Sequence, residues 1–166
     1  MTTTFGETMA AGIGIAPVSA ARASEVWSVV DAAFARYAPR MDGPPAPLLA
    51  DYAKLCDRGG VVALRVGRRI AAVLVSDVVG DTLQIETMAV HPSFEGQGHG
   101  TTMLEWAIDE VLPHGVTAVT LYTNVVMHEA RAFWEANGFT MTGHRVEDGY
   151  DRLYFRRSLL SEGARA

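Results

Sequence analysis

LQIETMAVHPSFEGQGHGTTML, residues Leu83 to Leu104, runs from an alternating strand through a short turn into an amphipathic helix opened by glycines at positions 96, 98 and 100. Glycine lets the backbone approach a ligand closely, and the first N–H groups of a helix lack intrahelical partners. This order of elements therefore makes a cradle for an anion such as a phosphate. The glycine spacing narrows the ligand. A dinucleotide fingerprint needs Gly-x-Gly-x-x-Gly, whereas here Gly96-x-Gly98-x-Gly100 is followed by Thr101 and Thr102. The phosphate loop of nucleotide triphosphatases ends in Gly-Lys-Ser/Thr, and no lysine follows Gly100.

Upstream of the loop, Val61 to Val66, Ile70 to Val79 and Thr82 to Val90 are β-rich runs joined at Gly67-Arg68 and Gly80-Asp81, which predicts three antiparallel strands. Ile13 and Ile15 alternate with small residues up to Pro17, predicting a first strand. Ser19 is placed to cap a helix with Val26, Val29, Val30, Ala33, Phe34 and Tyr37 on one face. Arg36 to Pro47 is too rich in Pro and Gly to continue that helix, and a short helix burying Leu48, Leu49, Tyr52 and Leu55 is expected after it. Downstream, Met103, Leu104, Ala107, Ile108, Val111 and Leu112 form one helical face that ends before Pro113. Val116 to Thr123 reads as a strand parallel to its predecessor, because a helix joins them, so the two can splay apart at their ends. A helix over Met127 to Ala136, a stop at Asn137-Gly138 and two strands joined around Glu147-Asp148-Gly149 complete the chain. One domain over residues 12–160 is expected, with flexible ends at 1–11 and 161–166.

The loop, with Val90, His91, Pro92, Gly98 and Gly100, resembles the coenzyme A loop of the GNAT superfamily of N-acetyltransferases, whose pattern is Gln/Arg-x-x-Gly-x-Gly/Ala after a strand ending in apolar-Val-x-Pro. Glu95 departs from it, standing where the family has Gln or Arg. A second segment, Leu121-Tyr-Thr-Asn124 followed by Ala130-x-x-Phe133-Trp134-x-x-x-Gly138-Phe139, is similar to the family's fifth strand, fourth helix and the turn after it. The resemblance covers Leu83 to Phe139. It implies a mixed α/β (α+β) fold: a mostly antiparallel sheet of about seven strands, splayed between the fourth and fifth, flanked by about four helices. It also implies an acetyl-CoA-dependent N-acetyltransferase in which an amine attacks the thioester directly. By the same resemblance the cofactor is held by Glu95, Gly96, Gln97, Gly98, His99, Gly100 and Thr101. Backbone N–H groups at Met88, Ala89 and Val90, freed by a bulge, and Asn124 and Trp134 add to the set, the pantetheine arm entering the splay.

Glu86 lies a few residues before the loop among apolar neighbours expected to desolvate it, which makes it the candidate general base; the alternative is an edge glutamate in a salt bridge. Asn124 is a hydrogen-bond partner for the cofactor or an ordinary turn residue. Many family members carry a tyrosine at the position of Trp134, where it protonates the departing thiolate, and an indole N–H cannot do this. A thiol of pKa about 8.5 leaving as thiolate at neutral pH sacrifices only ~2 kcal/mol, so an acid is helpful and not obligatory, and Tyr122, Tyr150 or Tyr154 could serve. Trp134 itself either packs in the core or lines the thioester pocket.

The 166 residues are 49% hydrophobic, enough for one buried core. A net charge of −5 argues against nucleic acid or an anionic membrane as partner, and no apolar run is long enough to span a bilayer. With one cysteine, Cys56, and no basic N-terminal leader, a cytoplasmic protein is expected. His128-Glu129 begins a zinc-protease motif, but position 132 is Ala and the other histidines lack ligand spacing, so no metal is expected. The acceptor pocket is expected from Arg36 to Pro47 and the Glu147 to Arg152 hairpin tip, with Tyr37, Asp42, Asp148, Tyr150 and Asp151 as contacts for a small-molecule or peptide amine. Exposed strand edges could pair two copies as a homodimer. The competing reading is a noncatalytic acyl-CoA sensor on the same fold, supported by Glu95 and Trp134.

Overall fold

The computed structural model describes Gly6, Thr8–Ala10 and residues 12–161. Among these, eight strands form one sheet in the order β1-β2-β3-β4-β5-β6-β8-β7. They are β1 (Thr8–Ala10), β2 (Ile13–Pro17), β3 (Val61–Val66), β4 (Arg69–Val79), β5 (Thr82–Val90), β6 (Ala118–Asn124), β7 (Thr140–Glu147) and β8 (Tyr150–Ser158). Four α-helices cover the faces: α1 (Ala23–Phe34), α2 (Tyr52–Asp57), α3 (His99–Val111) and α4 (His128–Ala136). Every neighbouring pair of strands is antiparallel except β5 and β6, which α3 connects in parallel.

Strands buried on both faces must be apolar throughout, and β3 and β4 divide their side chains between two cores. Val62, Leu64 and Leu74 join Leu104, Met103 and Phe155 beneath α3. Val61, Ala63, Val73 and Val75 join Val26, Val30 and Tyr52 beneath α1 and α2. Leu104 is completely buried, so Leu104→Ala should destabilise the protein by roughly 2–5 kcal/mol. A urea transition at unchanged slope checks this, and a midpoint equal to wild type would show that α3 is not seated as described.

Several local expectations are corrected. Thr8–Ala10, read as part of a flexible end, pairs with Ile13–Ile15 as an extra edge strand. Apart from Gly6, the rest of that stretch, and residues 162–166 of the other end, lie outside the described residues. Ser19 makes no side-chain cap; it precedes a 3-10 turn over Ala20–Arg22, and α1 starts only at Ala23. Tyr37 belongs to a 3-10 segment, Ala35–Arg40, that follows α1. The second helix is capped by Asp51, which accepts from the Lys54 N–H at 3.2 Å, and Leu49 before it is 68% exposed. Leu112 sits past the end of α3 and is also exposed.

The sheet irregularity that shapes the site lies in β5. Val75 pairs with Thr87 and Ser76 with Ile85, so Glu86 is the extra residue of a bulge. Its effect shows in the faces: Leu83 and Ile85 point to the α3 core, and after the bulge Met88 and Val90 pack there while Ala89 turns to the α1 core. Pairing with β6 ends at the same place, Ile85 with Leu121, and the two strands part beyond it.

Candidate functional site

A cavity of about 540 Å³ occupies the parting of β5 and β6 and is lined by residues of both strands, of the glycine loop, of α4, and of the segment after α1. At its loop end Gly98 caps α3 in the left-handed conformation, φ 80° and ψ 9°, and Gly96 is also left-handed at φ 72°. Nothing lies within 4 Å of where a Cβ would stand on either residue, so their backbone faces open space. The first helical bond runs from the Thr102 N–H to the Gly98 carbonyl at 3.0 Å, and no side chain caps the helix. The N–H groups of His99, Gly100 and Thr101 therefore lack intrahelical acceptors. Gly100 matters for packing instead, since a Cβ there would stand 3.1 Å from Phe133 Cζ and its absence lets α3 close on α4.

Along the cavity wall, the His91 N–H donates to Ala71 at 2.8 Å. Alternation from that bond turns the Ala89 and Thr87 N–H groups toward β4 and leaves those of Met88 and Val90 on the edge facing the gap. The expected freeing of this edge thus arises from the parting of β5 and β6, while the bulge itself sits two residues earlier, at Glu86.

Most of the residues expected at the site line this cavity: Glu86, Met88, Ala89, Val90, Glu95, Gly96, Gly98, His99, Gly100 and Thr101, together with Asn124, Trp134, Tyr37 and Tyr150. Asp42, Gln97, Asp148 and Asp151 do not. The Gln97 amide oxygen lies 3.2 Å from His99 Nε2, and Asp148 is 87% exposed at the tip of the β7–β8 turn, held there at φ 52°. Trp134 is both buried between Phe133 and Phe139 and part of the cavity wall. Asn124 Oδ1 accepts from the Val126 N–H at 3.1 Å, so its side chain shapes the turn.

The surroundings of Glu86 differ from expectation. Its side chain is 47% exposed and pairs with Arg58 at 3.2 Å, because the bulge directs it to the rim, away from the α3 core. Glu95 forms an ion pair with Arg36, which offsets the negative charge of its carboxylate beside the glycine loop, and this hydrogen bond raises the Arg36 guanidinium pKa. Sequence reasoning missed Arg36, Arg58 and Arg152 as participants. For Arg152 the signal was present in the alternation Tyr150, Arg152, Tyr154 along β8, which sets three large polar side chains on one face. Tyr150 donates to the Pro44 carbonyl at 3.0 Å, joining the two loops expected to build the acceptor side, and Tyr154 donates to Glu147. Tyr122 is thus the better placed phenol in the cavity. Burial pushes the Tyr37 phenol up.

Arg40 ties the segment after α1 to α4, forking onto Glu129 with two 2.8 Å bonds and donating to the Val126 carbonyl at 3.1 Å. The hydrogen bonds from Arg40 hold the Glu129 carboxyl at about 2, from an ordinary 4.5. A carboxyl lowered by folding stabilises the fold above its unfolded value, so this contribution is present above about 4.5 and lost as pH falls toward 2. Arg40→Gln should move the Glu129 titration, followed by NMR, up toward the ordinary range, the backbone hydrogen bond and Arg36 still lowering it in part; an unmoved midpoint would assign the lowering to those groups.

The acetyltransferase (GNAT) family model matches residues 26–139, a span that holds the open helix N-terminus on the glycine loop and the gap between the two parting parallel strands. The chain belongs to this family. Ribosomal protein bS18-alanine N-acetyltransferases of Salmonella typhimurium and Escherichia coli are 35% and 34% identical to it over 71 residues, 43% of this chain and 48% of theirs. The chain spans about half the length of the curated relatives it matches. Among solved structures, PaiA N-acetyltransferase of Thermoplasma acidophilum in complex with coenzyme A shares the fold with a TM-score of 0.75 at 13% identity, over 90% of this chain and 99% of that one. The ribosomal-protein-S18-alanine N-acetyltransferase of Escherichia coli gives 0.70 at 21% identity, over 93% and 98%. Among the described residues no helix is long and apolar enough to cross a membrane.

Proposed function

We propose that this protein transfers the acetyl group of acetyl-CoA to a primary amine, through one acetyltransferase domain over residues 12–160. The observation that carries the reading is the continuity of the α3 N-terminus, the free β5 edge and Glu86 along a single cavity. When bound, acetyl-CoA supplies a thioester carbonyl that an amine can attack, with CoA leaving as the thiol. The N–H groups of His99, Gly100 and Thr101 hold the pyrophosphate, and the open backbone at Gly96 and Gly98 lets it approach. The Met88 and Val90 N–H groups hold the pantetheine arm and stabilise the developing oxyanion. Glu86 takes the proton of the attacking amine, directly or through a water, at the rim where both it and the amine are reached by solvent. Tyr122 is the candidate donor to the leaving sulfur, a role closed to Trp134. Tyr37 and Tyr150 bound the acceptor side. A partner other than nucleic acid or an anionic membrane fits the net charge of −5, and a cytoplasmic location is part of the same reading.

The test is CoA-thiol release from acetyl-CoA, followed with a thiol reagent, against a panel of primary amines with tertiary amines as controls. Release that requires a primary amine supports the reading. Tight acetyl-CoA binding with no amine-dependent release from any member would favour a noncatalytic acyl-CoA sensor instead.

A further inference from the structure

We propose that the acceptor is a small amine carrying its own carboxylate, an α-amino acid in the simplest case, and that Arg152 binds that carboxylate. The proposal rests on the acetyltransferase reading above and names the acceptor class of the same site.

Arg152 lines the cavity from β8, with only 11% of its side chain exposed. A guanidinium withdrawn from water is costly unless its charge and donors are met. Its acidic neighbours meet them loosely: Glu147 stands at 3.5 Å and Asp148 at 3.8 Å, against 2.8 Å for the Arg40–Glu129 fork. Glu147 is moreover shared, since it accepts the Tyr154 O–H and faces Arg145 at 3.4 Å. What fixes Arg152 is aromatic. Its guanidinium carbon lies 4.3 Å from the Tyr122 ring centre and 5.2 Å from that of Tyr150. Ring faces hold a guanidinium without consuming its N–H donors. The result is a fixed planar fork, and a carboxylate is the planar two-oxygen acceptor that matches it.

The fork is also in the right place. Ile85 pairs with Leu121, so Tyr122 is the β6 residue level with Glu86 where the strands part, and Arg152 lies over Tyr122. Glu86 faces Arg58 at the end of α2, and Tyr150 is bonded to Pro44 between α1 and α2, so both groups open to the same face of the sheet. A zwitterion satisfies the two together: its ammonium loses a proton toward Glu86 while its carboxylate takes the Arg152 fork. An amine without a carboxylate leaves the fork with its loose counter-ions. A peptide N-terminus offers an uncharged amide oxygen in place of the carboxylate.

The experiment compares kcat/KM for CoA release on matched sets, each an L-amino acid, its carboxamide, the amine lacking the carboxyl group, and a short peptide beginning with that residue. Wild type should prefer the amino acid by about 10–100-fold. Arg152→Gln should erase that preference by lowering the amino-acid value to that of the amide, and Arg152→Lys, which keeps the charge, should retain part of it. The wild-type comparison decides by itself if a variant fails to fold. Equal values across a set, a preference for peptides, release with plain amines and no amino acid, or a preference that survives Arg152→Gln each overturns the proposal. Those results leave acetyl transfer itself standing, whereas acetyl-CoA that neither binds nor is cleaved with any amine removes the underlying reading and this inference with it.

Discussion

Gly98→Val is expected to raise the acetyl-CoA dissociation constant at least ~100-fold, the loss of one or two charge-assisted hydrogen bonds from a phosphate. The reason is conformational. Gly98 holds φ 80°, and an L-residue there costs ~1–2 kcal/mol, more for a β-branched one. Beyond its chain neighbours no atom lies within 4 Å of the added Cβ, so the Cβ itself meets no other residue. The chain can either keep the strained angle, with the valine side chain projecting into the cradle, or relax it and swing the His99 and Gly100 N–H groups out of line. Either way the anion loses its donors while the α3 core remains packed. Calorimetric titration of a variant with wild-type circular dichroism checks this, and an unchanged affinity would place the cradle elsewhere in the chain.

The second large effect is at Glu86. Glu86→Gln keeps the shape and the bulge and removes the proton acceptor, so kcat should fall by ~100-fold or more, and the remaining turnover should rise with pH as the free amine forms. Acetyl-CoA affinity should stay close to wild type, because Glu86 is at the acceptor rim and the phosphate donors are on α3. Unchanged turnover removes Glu86 from the mechanism, and a parallel loss of cofactor affinity would mean that it shapes the strand without acting in catalysis.

Where a structural decision is local, the sequence carried it. The turns at Gly67 and Gly80, both left-handed, the apolar period of α3 and the stop after α4 were legible because each is set by a few adjacent residues. The parallel β5–β6 pair followed from the helix between the strands. Features set by distant partners were not. Thr8–Ala10 has no strand-like composition and becomes a strand only by pairing with β2. The bulge at Glu86 depends on the register against Val75 and Ser76, so strict alternation along β5 assigned it apolar surroundings that the fold withholds. Arg36, Arg58 and Arg152 acquire their roles from Glu95, Glu86 and the rings of Tyr122 and Tyr150; of these, only Tyr150 lies within a few residues of the arginine it contacts. The glycine loop's conformation was readable because it is set by adjacent residues, and so was the approach of the segment after α1 to the β7–β8 hairpin; the pairings of Arg36, Arg58 and Arg152 were not, because they join side chains from separate segments.

The measurement closest to the central claim is a calorimetric titration of the purified protein with acetyl-CoA, with ATP and NAD titrated in parallel. The account predicts saturable micromolar binding of acetyl-CoA that neither nucleotide reproduces; a folded protein that binds no acetyl-CoA, or binds ATP or NAD in its place, would contradict it.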